Sequence, residues 1–314
     1  KGIAYVGAMQ VLENVGILEN IERVGGTSAG AINAVLYAAG FNNAETLKEL
    51  KKLNFNDFKD DSWGVLKDMK RLKDEYGWYK GDFFRDWIGD LLKSKTGSRN
   101  ITFKALAEHS DKSLYVYASN ISTNFGEVYS VEHTPRMRVV DAVRRSMSIP
   151  LFFRAVRDDR EDVFVDGGAI NNYPVKLFDR EKYLSDTSLI RVPNYYKSEN
   201  KILKKKHPSS SPNIYNKETL GFRLDSGKEI AVFRDGNEPQ SNDIENFLDY
   251  TMELIKTVLS VQDSQHLHST FDFDLTDSLK KKLVKQGESA AKEYLKWWAD
   301  VSEDLAINHP DSSD

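Results

Sequence analysis

The sequence predicts an α/β fold, with a central, mostly parallel sheet and helices on both of its faces. Short apolar segments typical of strands alternate with longer segments whose apolar residues recur at helical spacing. Hydrophobic residues make up 40% of the 314 residues, which is enough to form a sizeable core. We find no internal repeat, and we expect one domain over residues 1–300 with a polar tail at 301–314.

The first elements are a helix, a strand and a second helix. Apolar residues on one face predict a helix from residue 3 to about 15. A short apolar strand is expected at 21–24, ending at Gly25-Gly26. The segment 29–39 is almost entirely apolar, so we expect a buried helix that ends at Gly40.

Residues 43–95 predict two or three amphipathic helices that carry a cluster of aromatic side chains. These aromatics either line an acyl-chain cleft or lid, or pack as ordinary core residues, and the second interpretation is at least as well supported. The cluster consists of Trp63, Tyr76, Trp78, Tyr79, Phe83, Phe84 and Trp87.

The remaining chain continues the alternation of strands and helices. Residues 195–217 are polar and rich in lysine, serine and proline, which predicts a loop. We expect strands at 114–118, 127–131, 163–165 and 219–224, and helices at 139–147, 242–262 and 276–298.

Composition and charge exclude several functions. The 44 basic and 48 acidic residues give a net charge of −4, which argues against a nucleic-acid partner. The chain contains no cysteine, which excludes disulfides, cysteine-bound metals and thiol nucleophiles. No apolar run approaches the length of a spanning helix, and the first residues lack the pattern of a signal peptide.

A G-x-S-x-G motif lies between the first strand and the apolar helix. It reads Gly26-Thr27-Ser28-Ala29-Gly30, and this setting is the one that a nucleophile elbow requires. The flanking glycines leave room for a tight turn, and the helix N-terminus stabilises negative charge near Ser28. The alternative is a glycine-rich turn in which Ser or Thr caps the helix.

The second candidate is Asp166, which follows a Val-Phe-Val strand and precedes Gly167 and Gly168. A carboxylate at the end of a strand in an α/β sheet lies where ligands bind. A simple Asp-Gly turn is the alternative. Each motif alone is weak evidence for a catalytic site. Because both motifs are expected at the ends of strands, together they indicate a nucleophile and its base.

A histidine base is the usual partner of a catalytic serine. The chain contains six histidines, none beside a recognisable motif, and most are expected to be solvated. His266 and His268 follow the helix at 242–262, so a triad in the order Ser, Asp, His stays open.

These residues and the segments around them resemble those of bacterial patatin-like phospholipases. The matching segments occur in family order across most of the chain. They read KGIAYVGAMQVLE at 1–13, GGTSAGAINA at 25–34, SMSIPLFF at 146–153, VDGGAINNYPV at 165–175 and TLGFRL at 219–224.

The resemblance implies a patatin fold and a Ser–Asp dyad, with neither histidine nor metal nor cofactor. Ser28 would be the nucleophile and Asp166 the base. Lys1 and Gly2 match only the last two positions of the glycine-rich loop that forms the family's oxyanion hole. Either the other glycines precede Lys1 or the hole is absent, and we favour the first. An aspartate of ordinary pKa is a weak base, so the oxyanion hole should supply most of the acceleration.

The implied substrates are phospholipids, lysophospholipids or related acyl esters, cleaved through an acyl-serine. Two alternatives stay open: a lipid acyltransferase with the same dyad, and a non-catalytic module that binds lipid or protein. We expect a cytoplasmic or peripheral membrane location, with a secreted effector left open. Lys201, Lys204, Lys205 and Lys206 either contact anionic headgroups or are simply solvated.

Overall fold

The computed structural model describes residues 2–60, 65–224 and 276–299, together with a few separate positions between 237 and 257. In the described part, the helices are α1 (Ala4–Asn14), α2 (Ala29–Ala38), α3 (Asn43–Lys52), α4 (Val65–Glu75), α5 (Asp82–Thr96), α6 (Phe103–His109), α7 (Val139–Ser146), α8 (Asn194–Lys206) and α9 (Asp277–Ala299). The strands are β1 (Arg23–Thr27), β2 (Gly77–Tyr79), β3 (Ser113–Asn120), β4 (Phe125–Ser130), β5 (Leu151–Phe153), β6 (Val156–Arg157) and β7 (Val163–Asp166).

The α/β class predicted from the sequence is confirmed, and β3 is the central strand of the main sheet. The order is β1, β3, β7, β6, and β4 also pairs with β3. Strands β1 and β3 run parallel, as do β2 and β5 in a separate pair. The other described pairings, β3 with β4, β3 with β7 and β6 with β7, are antiparallel.

The described strand pairs thus include more antiparallel pairings than we expected for a mostly parallel sheet. For two of the three antiparallel pairs the reason is local, because short turns join β3 to β4 and β6 to β7. A turn of a few residues can connect only antiparallel strands, whereas a parallel pair needs a longer crossover. The segment from β1 through α2 to β3 is such a crossover.

The apolar helix α2 packs on β1 and β3 and forms the centre of the core. Ala31, Val116 and Ala118 have no exposed surface, and Val35 is 1% exposed. The expected burial of this helix is thus confirmed, and Gly40 follows its end with a φ of 87°.

Strand β1 begins and ends later than the sequence predicted. Gly25 and Gly26 pair with Tyr115 and Val116 of β3, so the glycines lie inside the strand and do not terminate it. The predicted helices at 3–15, 139–147 and 276–298 correspond to α1, α7 and α9, and the segment 43–95 contains α3, α4 and α5.

Two predictions for the second half are wrong. Residues 195–206, expected as part of the loop at 195–217, belong to α8. Lysine and leucine favour helices, and three lysines lie in the last turn, where the helix dipole is negative. Residues 219–224 are not a strand, because they pair with no other strand among the described residues. The expected helix at 242–262 and the tail at 301–314 lie almost wholly outside the described residues.

The chain divides into two compact units. The first comprises Lys1–Tyr173 with Leu224–Ala291, and the second comprises Pro174–Arg223 with Lys292–Asp314. In the second unit, the buried Asp179 carboxylate accepts a hydrogen bond of 2.6 Å from the Tyr196 hydroxyl. The expectation of a single catalytic domain over 1–300 stays a prediction. No helix within the described ranges has the length and apolar character to cross a bilayer.

Candidate active site

The sheet brings Ser28 and Asp166 to neighbouring positions along one side of β3. Thr27, the last residue of β1, pairs with Tyr117 of β3. Asp166, the last residue of β7, pairs with Ala118, the next residue of β3. Because β4 pairs with residues 115–120 of β3 on its other side, β1 and β7 lie end to end along the same side of β3, and their C-terminal ends meet there.

Ser28 lies on the turn between β1 and α2 and has a strained backbone. Its φ of 54° and ψ of −121° define a backbone conformation that residues other than glycine seldom adopt. Such strain costs on the order of 1–3 kcal/mol and occurs mainly at functional sites. The sharp turn exposes part of the serine side chain, as the nucleophile-elbow interpretation requires.

Two hydrogen bonds hold this turn in place. The Ser28 N–H donates to Oγ of Ser146, which is completely buried, at 2.9 Å. The Thr27 hydroxyl donates to the carbonyl of Asn171 at 3.1 Å, which ties the turn to the segment after β7. The elbow is therefore positioned by α7 on one side and by the Asp166 loop on the other.

Gly26 and Gly30 differ in how much the turn depends on them. A Cβ atom on Gly26 would lie 2.3 Å from the carbonyl carbon of Gly30, which no side chain tolerates. A Cβ atom on Gly30 would meet only the Tyr5 hydroxyl, at 3.8 Å. The close approach of strand and helix thus requires glycine at 26 and leaves space at 30.

Asp166 is buried, with 2% of its surface exposed. Its Oδ1 accepts a hydrogen bond of 2.8 Å from the Gly168 N–H, whereas its buried Oδ2 has no hydrogen-bond partner in the described part of the chain. Burial disfavours the charged carboxylate and raises the pKa of Asp166 to about 6. The nearby Ser28 hydroxyl, and then the hydrogen bond from the Gly168 N–H, lower the pKa of Asp166 and so oppose part of this rise.

The glycines after Asp166 allow the loop to pack tightly. A Cβ atom on Gly167 would lie 2.5 Å from the Tyr117 carbonyl oxygen, and one on Gly168 would lie 2.9 Å from Oδ1 of Asn172. The Gly167 carbonyl accepts a hydrogen bond from the buried Ser119 hydroxyl at 3.1 Å. This packing fixes the carboxylate of Asp166 relative to β3.

The Ser28 hydroxyl also contacts a sulfur atom. It donates to Sδ of Met147 at 3.4 Å, and Met147 is 8% exposed. The sequence predicts no role for Ser146 or Met147, although both lie in the segment SMSIPLFF. The position of this segment in the family's order of motifs was the only indication of a role, and the residue types themselves did not indicate contact with Ser28.

Gly2 lies beside the start of α2. Its carbonyl accepts a hydrogen bond from the Asn33 side chain at 3.2 Å, and a Cβ atom on Gly2 would lie 3.0 Å from Cβ of Ala29. The N–H groups in the first turn of a helix have no partner within the helix, so this end of α2 attracts negative charge. Lys1 lies outside the described residues.

The histidines that the structure describes have other surroundings. His133 is exposed and its Nδ1 lies 2.8 Å from the Ser130 hydroxyl, while His109 and His207 are exposed. None of these three hydrogen-bonds to Ser28 or Asp166. His266, His268 and His309 lie outside the described residues.

The aromatic cluster belongs largely to the core. Phe84 is 1% exposed and packs edge-on against Phe58, with ring centroids 5.6 Å apart. Phe83 and Trp87 pack against the same core, whereas Tyr76 is 44% exposed. Ordinary core packing is thus favoured over a lid for these helices, and Trp63 lies outside the described residues.

An α/β sheet with a strained serine at the end of one strand and a buried carboxylate at the end of another is the architecture of a hydrolase. Residues 1–179 match the sequence profile of the patatin-like phospholipase family. The chain therefore belongs to the patatin-like phospholipase family, and its class of activity is lipid hydrolysis.

Similar proteins span much of the chain. It is 27% identical over 328 residues to YqhO of Bacillus subtilis (strain 168), across 95% of both proteins. It is 26% identical to probable lipid hydrolase 463L of Invertebrate iridescent virus 6, over 56% of this chain and 59% of that protein. Among solved structures, VipD from Legionella pneumophila aligns with 94% of this chain and 73% of that chain, with 15% identity and a TM-score of 0.43.

Proposed function

We propose that the chain cleaves acyl ester bonds of phospholipids, lysophospholipids or related lipids with a Ser28–Asp166 dyad. The observation that carries the proposal is the buried carboxylate of Asp166 beside Ser28, with a pKa of about 6 and an Oδ2 that is free to accept a proton. A carboxylate with this pKa is a stronger base than the ordinary aspartate expected from the sequence. A cytoplasmic or peripheral membrane location forms part of the proposal.

The first half-reaction transfers the acyl group to the serine. Rotation of the Ser28 side chain turns its hydroxyl from Met147 to Oδ2 of Asp166. Asp166 accepts the proton while Oγ forms a bond to the ester carbonyl carbon, and the carbonyl electrons move to its oxygen. The oxyanion then collapses, the bond to the leaving alcohol breaks, and that alcohol takes the proton from Asp166.

The second half-reaction releases the fatty acid. A water molecule gives a proton to Asp166 and forms a bond to the acyl carbon. Collapse of the second oxyanion breaks the bond to Oγ, and Ser28 recovers the proton. The positive end of α2 stabilises both oxyanions, and the N–H of Gly2, which lies beside the first turn of α2, contributes a donor.

Hydrolysis of a p-nitrophenyl ester and of defined phospholipids tests the proposal. Ser28→Ala and Asp166→Asn should each reduce kcat by about 10³-fold or more, because each removes a group that acts in the chemical step. Ser209→Ala and Asp111→Asn, at exposed positions, are the matched controls and should retain full activity. Wild-type activity in either dyad variant would overturn the assignment.

The lysines of α8 are part of the same proposal as a contact with anionic membrane surfaces. Lys201, Lys204, Lys205 and Lys206 are exposed, and the last three lie in the final turn of the helix. Each lysine near an anionic surface contributes about 1 kcal/mol. Replacement of all four by Gln should reduce flotation with anionic vesicles, and unchanged flotation would remove this part of the proposal.

A further inference from the structure

A cavity of about 890 Å³ lies among the end of α4, α5, α7 and β6. Neither Ser28 nor Asp166 lines it. Its volume is within the range of small-molecule sites. Eight arginines and six acidic residues line its walls, so positive charge is in excess.

Most of the carboxylates in this arginine-lined cavity are already paired. Asp141 binds Arg85 at 2.9 Å and also pairs with Arg138. Arg154 pairs with Asp82 at 2.8 Å and with Glu75 at 3.6 Å, and Arg160 pairs with Asp158 at 3.3 Å. Among the described residues, Asp74 and Asp159 are the lining carboxylates that lack an ion pair. Three lining arginines, Arg136, Arg144 and Arg145, contact no carboxylate there.

Arg144 is a buried cation with only neutral hydrogen-bond partners. It is 5% exposed and donates to Oγ of Ser148 at 2.6 Å and to the carbonyls of Lys80 and Arg154 at 2.6 and 3.0 Å. Burial, and then the charge of Arg154, lower the pKa of Arg144 to about 10. The charges of Asp82 and Asp60 act on Arg144 only through space. A buried cation that hydrogen-bonds to no carboxylate is costly, so an anion in the cavity would stabilise this arrangement.

Arg145 adds donors that the described part of the chain does not use. Its Nη1 donates to the Tyr129 hydroxyl at 3.1 Å, but its buried Nε has no hydrogen-bond partner there. The guanidinium lies 4.2 Å from the centre of the Phe164 ring, which holds its plane in place. Arg136 is exposed at the cavity wall and has no partner among the described residues.

We propose that the arginine-lined cavity binds an anion that carries phosphate groups, at a site separate from the Ser28–Asp166 pair. Guanidinium groups match the oxygen geometry of phosphate and form charge-assisted hydrogen bonds with it. Several arginines without carboxylate partners suit a multiply charged anion better than a single carboxylate. The phosphate comes either from a lipid headgroup or from a soluble phosphate ester.

Calorimetric titration of the full chain with inorganic pyrophosphate at low ionic strength tests this site. Wild type should show saturable binding at one site. Arg136→Gln/Arg145→Gln should weaken binding at least tenfold, because a hydrogen bond to a charged group contributes about 1.5–3 kcal/mol and 1.4 kcal/mol is tenfold in affinity. The matched control is Arg99→Gln, since Arg99 is half-exposed and pairs with Asp86 and Asp90 outside this cavity.

The remaining measurements separate folding, catalysis and the source of the phosphate. Circular dichroism should show the same folded content in both variants, and Ser28→Ala should bind pyrophosphate as wild type does. Flotation with phosphatidic acid vesicles that the double variant loses identifies a lipid headgroup, whereas pyrophosphate binding without it identifies a soluble ester. An isotherm without saturation, or equal weakening by Arg99→Gln and the double variant, overturns the site.

Discussion

Asp166→Asn should gain stability relative to the wild type as the pH rises from 4 to 8, while it abolishes hydrolysis. Burial raises the pKa of Asp166 from 3.8 to about 6, so the folded state holds the proton more tightly than the unfolded state. The stability from this difference is present in full below pH 4 and is lost as pH rises through 6. This rise in the pKa of Asp166 corresponds to about 3 kcal/mol, by which ionised Asp166 destabilises the folded state at pH 8.

The asparagine variant removes this dependence because its amide does not ionise. Urea unfolding of wild type and Asp166→Asn at pH 4, 5, 6, 7 and 8 measures the difference in the free energy of unfolding. Between pH 4 and pH 8 that difference should change by about 3 kcal/mol in favour of the variant, with its midpoint between pH 4 and 6. Any constant cost of the amide cancels in this comparison. A difference that does not vary with pH would refute the assignment of a buried, ionising carboxylate.

Three further predictions concern the same site. Because Asp166 accepts a proton only when ionised, kcat/KM should fall tenfold per pH unit below about 6, as an activity profile on a soluble ester would reveal; a profile flat down to pH 4.5 would contradict this role. Gly26→Ala should unfold or inactivate the chain because its Cβ would lie 2.3 Å from the Gly30 carbonyl carbon, whereas Gly30→Ala should fold, and thermal unfolding of the two variants compares them directly. Ser146→Ala removes the acceptor of the Ser28 N–H and should cost about 1–3 kcal/mol of stability together with a lower kcat; unchanged stability and kcat would show that the elbow does not need this bond.

The local elements of this fold follow from sequence patterns. The helical spacing of apolar residues predicts α1, α7 and α9, and the uniformly apolar segment predicts the buried helix α2. The pattern around 195–206 was misleading because lysine-rich sequence suggests a solvated loop, although lysine favours helices. Composition describes which residues tolerate water, and tolerance of water does not distinguish an exposed helix from a loop.

The two principal site residues were predictable, but their environment was not. Ser28 and Asp166 stand in motifs whose strand-end positions are readable from sequence, and the resemblance assigned them roles. Their meeting beside β3 depends on the register of Thr27 with Tyr117 and of Asp166 with Ala118. Register is a tertiary property, so the contacts of Ser146 and Met147 with Ser28 appear only in the structure.

The raised pKa of Asp166 could not be predicted from the sequence, because it too is a property of the tertiary structure. It depends on the burial of a carboxylate whose neighbours come from β3, α7 and the Ser28 turn. The difference between Gly26 and Gly30 was also not predictable from the sequence, because only the packing of α2 on β1 decides which of the two glycines is essential. Patterns along the chain identify the chemical groups, and packing sets their reactivity.

Capture of the acyl-enzyme tests the central claim most directly. The full chain is mixed briefly with a p-nitrophenyl acyl ester, quenched in acid, digested and analysed by mass spectrometry. The account predicts one acyl group on the peptide that contains Ser28, absent from Ser28→Ala and formed far more slowly by Asp166→Asn. Ester turnover by the wild type with the acyl group on a different residue, or the same adduct rate in Asp166→Asn, would contradict it.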